Sequence, residues 1–244
     1  MALLRKADQA AQWLLRRVGY FRDEDIDQDE EFIRIYLKCR DYSLTSKERM
    51  YALYKAVRYV VEAGVPGDLV ECGLWRGGSS MMIAHTLILS GQTGRKIYMY
   101  DTYGGMPEPS GRDVDINDVG ARRKWERKGG SWAYASLDEV KANMISTGYP
   151  KEMLVFVKGK VEDTIPSKMP EAVALLRLDT DFYESTYHEL KHLYPALSRR
   201  GVLILDDYGH WKGAREAVDR YFKENKVGIL LGRVDYTGRV GVKD

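Results

Sequence analysis

Cysteine is nearly missing from these 244 residues: only Cys39 and Cys72 occur, in different segments. Two isolated thiols give neither a disulfide framework nor a thiolate metal site, and they point to a reducing cytoplasm. Long apolar runs are missing as well. None approaches the ~20 residues that a bilayer span needs, and the N-terminus lacks a signal-peptide pattern, so no membrane partner and no secretion are expected. No sign of charge dominates. Lys plus Arg number 38 against 36 Asp plus Glu, a net charge of +2, which gives no electrostatic reason for a nucleic-acid partner. Histidine is scarce, and His188 and His192 lack the glutamate of an H-E-x-x-H pair, so they read as surface residues.

The informative stretch is DLVECGLWRGGSS, residues 68–80. An apolar run breaks into a glycine-rich turn and at once becomes a segment of helical length. Glycines at such a turn let a ligand approach the main chain, and the helix start presents unpaired N–H groups. Glu71 adds a carboxylate, which suits a cationic or hydroxyl-bearing ligand better than a phosphate. The full G-x-G-x-x-G pattern is absent, so a dinucleotide site is the weaker reading.

Taken in order, residues 3–18 repeat apolar side chains at helical spacing between basic ones and predict an amphipathic helix that docks as a lid or dimer element. The acidic run 23–31 reads as a solvated linker. Thr45 and Glu48 read as a capping box for a helix whose face carries Met50, Leu53, Tyr54, Val57, Val60 and Val61. From residue 67 the pattern changes to βαβ alternation. Strands are expected at 68–74, 96–102, 153–159, 173–180, 201–208 and 227–234, with helices at 79–90, 136–147, 183–198 and 213–225. This alternation predicts an α/β fold with a mainly parallel sheet. Residues 238–242 would add an antiparallel edge strand. The division expected is an N-terminal helical extension over 1–66 and a main domain over 67–244. Its glycine-rich, charged segment 103–135 is read as a mobile substrate lid.

Ligands of such sheets bind at the carboxyl ends of the strands. Carboxylates gather there: Glu71, Asp101, Asp179 with Asp181, and Asp206 with Asp207. Glu71 and Asp101 on neighbouring strands would balance a sulfonium or amino charge and accept ribose hydroxyls, which fits S-adenosylmethionine. Asp179, Asp206 and Asp207 form a hard oxygen set that favours Mg²⁺, Ca²⁺ or Mn²⁺ over zinc. A cation there would lower the pKa of a substrate hydroxyl, and Asp181 would remove its proton, with Asp179 and His210 as alternative bases. His210 and Trp211 would line the pocket mouth.

The sequence resembles the macrocin O-methyltransferase family, whose members methylate sugar hydroxyls of macrolides and related natural products. The likeness rests on ERMYALYKAV from Glu48, GDLVECGLWRGGSSMM from Gly67, YDTYGGMPEP from Tyr100, FVKGKVEDTIP from Phe156, LLRLDTDFYEST from Leu175 and VLILDDYGHWKGAREAVDRYF from Val202. It implies a class I S-adenosylmethionine-dependent methyltransferase, Rossmann-like and seven-stranded, with Mg²⁺, a homodimer or higher homo-oligomer, and a small glycosylated acceptor. Carried onto this chain, Glu71, Cys72, Gly73, Leu74, Trp75, Arg76, Gly77, Gly78 and Ser79 would hold the methionine part. Asp101 with Thr102 would hold the ribose, and Gly159, Lys160 and Val161 would flank the adenine. The resemblance also makes Asp179, Asp206 and Asp207 the metal ligands, Asp181 the base, and Tyr183 with the lid the sugar contact. Lys160 departs from the aromatic residue that relatives often carry against the adenine. Two rivals read D-T-D at 179–181 as the Mn²⁺ acids of a nucleotide-sugar glycosyltransferase or the nucleophile pair of a haloacid-dehalogenase-like phosphatase. Methylation of a catechol-like phenol is a third.

Overall fold

In the computed structural model of the protein, residues 24–128 and 132–244 are described. The amphipathic helix expected over 3–18 lies outside them. The chain divides into two compact units, one reaching to Arg34 and one running from Ile35 to Asp244. In the first, the acidic run is helical rather than a linker: α1 (Glu24–Gln28) precedes the start of α2 (Glu30–Cys39). Asp29 explains this, because its carboxylate accepts from the Phe32 amide at 3.0 Å and satisfies a donor that the helix start leaves free.

The second unit is built on seven strands: β1 (Asp68–Cys72), β2 (Ile97–Asp101), β3 (Leu154–Lys158), β4 (Val173–Leu178), β5 (Leu197–Leu205), β6 (Gly232–Arg233) and β7 (Arg239–Val242). Their order is β3-β2-β1-β4-β5-β7-β6. The first five run parallel, and β7 is antiparallel to both β5 and β6. The mainly parallel seven-stranded sheet is therefore present. Every residue of β4 is buried, which is why its sequence reads as an almost unbroken apolar run. From β1 the chain goes on to β2 and β3 on one side and returns to β4 on the other. That reversal opens a crevice at the carboxyl ends of β1 and β4.

The helices are α3 (Lys47–Glu62), α4 (Gly78–Leu89), α5 (Ala121–Lys128), α6 (Leu137–Ser146), α7 (Val161–Thr164), α8 (Tyr183–Ala196) and α9 (Lys212–Glu224). Four of them fall within two residues of the expected bounds. Three details differ. The cap of α3 is Ser46, whose hydroxyl accepts from the Arg49 amide at 3.2 Å, while Thr45 turns inward to another partner. Strand β5 begins at Leu197, before the expected start, because a bulge around Arg200 (φ +64°) lets Leu197 pair with Val173 and Val202 with Leu175. The last apolar run pairs only over Gly232 and Arg233: Ile229 and Leu231 reach the core without strand pairing, and β7 takes the inner place that leaves β6 at the edge.

Candidate active site

A cavity of about 270 Å³ opens at the carboxyl ends of the five parallel strands. Its first wall is the turn after β1, where Gly73 (φ +82°) and Gly77 (φ +89°) take left-handed conformations. A side chain at Gly73 would overlap the Asp179 carbonyl, so glycine is what lets this turn pass against the exit of β4. The Asp179 amide donates to the Cys72 carbonyl at 2.8 Å and extends the pairing to that point. Gly73, Leu74, Trp75 and Ser79 line the cavity, as do Asp101 and Thr102 at the end of β2 and Gly159, Lys160 and Val161 after β3. The Asp101 carboxylate accepts from the Leu74 amide at 2.8 Å and the Tyr103 amide at 2.7 Å. Burial raises its pKa above the usual carboxylate value.

Glu71, Cys72, Arg76, Gly77 and Gly78 do not line the cavity. Glu71 is wholly buried beneath it, accepting from the Ser79 and Ser80 hydroxyls and from the Arg177 guanidinium. Arg76 is engaged by Glu139 at 2.6 Å. Arg177 itself, 1% exposed near the carboxyl end of β4, is the hub of the floor. Besides Glu71 it meets Asp179 at 2.8 Å and Asp206 at 2.5 Å, and it donates to the Thr45 hydroxyl at 2.9 Å.

Asp206 has both carboxylate oxygens engaged, one by Arg177 and the other by Arg49 of α3. Arg49 is held in turn by Asp235 at 3.0 Å. The carboxylates that converge are therefore Asp179, Asp181 and Asp207, each offering an oxygen within 4.8 Å of the others. Asp206 was expected in that group in place of Asp181. The difference lies in the two guanidiniums, which draw Asp206 down to the floor, and in Asp181, whose left-handed backbone (φ +66°) brings its amide to Asp207 at 3.2 Å.

Five acids, Glu71, Asp179, Asp181, Asp206 and Asp207, thus face two guanidiniums. Desolvation lifts the Asp181 carboxyl to about 6, with Asp179 and Asp206 adding to the rise and Asp207 and Lys124 opposing it. Asp179 is raised well above the usual range, first by burial and against the pull of Arg177. Asp207 is raised likewise, by burial and then by Asp181. An all-oxygen donor set with excess negative charge fits a hard divalent cation.

The mouth is aromatic. His210 and Trp211 line it, with Trp132, Lys124 and Tyr236. Trp132 and Phe182 sit 6.0 Å apart, centroid to centroid, and Trp211 packs against both. Lys124 lies 4.3 Å above the Trp132 ring. Burial lowers the His210 pKa and so favours the neutral ring. Tyr183, expected to touch the acceptor, is instead buried outside the cavity: its hydroxyl accepts from Arg220 at 2.8 Å, and its amide donates to Asp113 at 2.8 Å. Asp113 also accepts from Ser110, and an isolated bridge joins Asp115 to Trp211, so residues 110–115 are tied beside the mouth, with α5 following them. His188 and His192 are half-buried, and the His188 Nε2 is bonded to the Ile165 carbonyl at 2.9 Å.

Sequence reasoning passed over Arg49, Arg177, Lys124 and Trp132. Arg177 left a signal, a lone charge inside the apolar run VALLRL, which a fully buried strand tolerates only if acids surround it. The others carry no local mark.

Comparison with known proteins places the site in context. The family described as Macrocin-O-methyltransferase (TylF) matches residues 27–241. The 8-demethyl-8-(2,3-dimethoxy-alpha-L-rhamnosyl)-tetracenomycin-C 4'-O-methyltransferase of Streptomyces olivaceus is 34% identical over 197 residues, 81% of this chain and 74% of that protein. The demethyldecarbamoylnovobiocin O-methyltransferase of Streptomyces niveus is 31% identical over the same share. Among solved structures, the O-methyltransferase NovP superposes with a TM-score of 0.73 at 30% identity, covering 83% of this chain and 82% of its own.

Proposed function

The chain belongs to the macrocin O-methyltransferase family, and on that premise we propose that it transfers a methyl group from S-adenosylmethionine to a sugar hydroxyl of a glycosylated small molecule, with Mg²⁺ required. That it is an O-methyltransferase of the class I fold follows from the family and the structural likeness. The finer reading rests on one observation: a glycine turn and three convergent carboxylates share one cavity at the point where the strand order reverses. The relatives' names support a sugar rather than a phenol, since the Streptomyces olivaceus enzyme is named for a rhamnosyl group. A glycosyltransferase has no use for the β1 turn, and the relatives are methyltransferases.

In this reading the donor lies along Gly73, Leu74, Trp75, Ser79, Asp101, Thr102, Gly159, Lys160 and Val161. Glu71 acts from below, fixing Ser79 at the start of α4. Asp179 and Asp207 are the residues that would hold Mg²⁺, which commonly uses one or two carboxylates and keeps its remaining positions for water and substrate. Asp206 supplies charge from the floor. A cation held by these residues would lower the pKa of a substrate hydroxyl.

Asp181 is the base, its carboxyl held at the rim by the Asp207 contact and tuned close to neutrality, where a general base works best. His210, neutral and at the mouth, with Trp211 and Trp132, forms an apolar wall against which the acceptor sugar would be oriented. Lys124 and Trp132, from the segment after β2, complete that wall. A homo-oligomer and a cytoplasmic setting complete the proposal. No described helix is long and apolar enough to cross a membrane.

Calorimetry with S-adenosylmethionine, followed by labelled methyl transfer to a panel of rhamnosylated polyketides with and without Mg²⁺, tests the assignment. The donor is expected to bind the metal-free protein, and transfer to stop with chelator and return with Mg²⁺. Preferential binding of a UDP-sugar overturns it.

A further inference from the structure

One acid belongs to no part of this scheme. Glu189, on α8, is wholly buried, and its Oε1 has no hydrogen-bond partner among the described residues. A buried, unpaired carboxylate would cost several kcal/mol, so nothing in packing alone accounts for a glutamate here. Its Oε2 accepts from the Thr180 hydroxyl at 3.2 Å. Its other close neighbour is the Cys72 thiol at the end of β1. The side chain therefore lies under the two strand ends that form the crevice.

What it touches there is strained. Thr180 stands between Asp179 and Asp181, its carbonyl accepts from the Phe182 amide at 2.8 Å in a tight turn, and Asp181 is left-handed. A non-glycine residue in that region persists only when its surroundings over-determine it. The Asp207 carboxylate holds the turn from the cavity side, and the Gly73 backbone stops it from the β1 side. Glu189 is the contact from beneath.

We propose that Glu189 is a positioning residue: through Thr180 it sets the turn that presents Asp179 and Asp181 to the cavity, and it couples that turn to the end of β1. This rests on the assignment of the D-T-D acids made above. Burial raises the Glu189 carboxyl well above its ordinary range and so disfavours a further negative charge beside the other acids, while its Oε2 accepts the Thr180 hydrogen bond.

The test compares Glu189→Gln, which keeps the shape and the acceptor, with Glu189→Leu, which removes it, and adds Thr180→Val and the double variant Glu189→Leu/Thr180→Val. Two readouts need no acceptor: hydrogen exchange of the Asp181 amide, and Mn²⁺ binding followed by its paramagnetic resonance spectrum. Glu189→Leu is expected to speed exchange tenfold or more and to weaken Mn²⁺ tenfold or more, with S-adenosylhomocysteine affinity within twofold of wild type. Glu189→Gln should restore both, and the double variant should be no worse than Glu189→Leu alone. Exchange and Mn²⁺ affinity unchanged in Glu189→Leu, or a Gln variant as defective as the Leu one, overturn the proposal. Wild-type protein that ignores Mn²⁺ would instead count against the cation of the proposed function, and exchange alone would then decide the role of Glu189.

Discussion

Replacing Arg177 with methionine is the sharpest test of how the floor of the site is held together. The substitution keeps an unbranched side chain in β4 and removes the counterion shared by Glu71, Asp179 and Asp206. Removing one partner of a buried ion pair costs about 3 to 5 kcal/mol, because the charge left behind stays desolvated. Proton uptake limits the loss. Protonating one carboxylate of ordinary pKa at pH 7 costs about 4 kcal/mol, at about 1.36 kcal/mol per unit. A chain of 244 residues has an unfolding entropy of about 0.5 kcal/mol per degree, so about 4 kcal/mol lowers Tm by about 8 °C. The pH dependence gives the mechanism away. In the variant the folded acids bind a proton that the unfolded ones release, so its stability falls as pH rises above the ordinary carboxylate range. Moving from pH 7 to pH 5 recovers about 2.7 kcal/mol per trapped proton and narrows the gap to wild type by about 5 °C. Scanning calorimetry of both proteins across that range is the assay. A gap below 2 °C at pH 7, or one that does not change with pH, would refute the reasoning.

Other consequences are as definite. In metal-free wild type, the raised carboxyls of Asp179, Asp181 and Asp207 mean that the folded state holds extra protons, so Tm should fall between pH 5 and pH 7 and recover on adding Mg²⁺; a Tm that rises with pH in chelator counts against this. Asp181→Asn should lower kcat by about 10² to 10⁴ with donor affinity unchanged, and wild type is expected to lose rate as pH falls through about 6 while the variant does not; a variant keeping a tenth of the activity would exclude Asp181 as base. In Mn²⁺ titrations, Asp206→Asn should weaken binding by no more than about 10 to 100-fold, the scale of groups behind the ligands, whereas Asp207→Asn should abolish it; equal losses would restore Asp206 as a ligand. Gly73→Ala should destabilise by at least about 2 kcal/mol, since the new methyl would overlap the Asp179 carbonyl at a left-handed position; a Tm within 2 °C of wild type would be the contrary result.

The sequence by itself determined the sheet and the rim of the site. Apolar runs that end in acids are a local signal: burial dictates β1 to β5, completely only in β4, and the strand ends dictate where Glu71, Asp101, Asp179 and Asp206 emerge. The β1 turn was legible for the same reason, because a left-handed turn against a neighbouring strand requires glycine. What only the tertiary structure decided is which acids are free. Glu71 and Asp206 look like ligand-binding residues until Arg177, and Arg49 from a helix 157 residues before Asp206, take up their charge. Asp181 looks like a base beside the metal acids, and the fold turns it inward among them. Tyr183, which the family resemblance would set against the acceptor, is buried in the fold and bonded to Asp113 and Arg220. The physical reason is common to all of these: a strand end fixes where a carboxylate leaves the backbone, but its partner is chosen in space, by counterions whose positions in the chain carry no trace of the pairing.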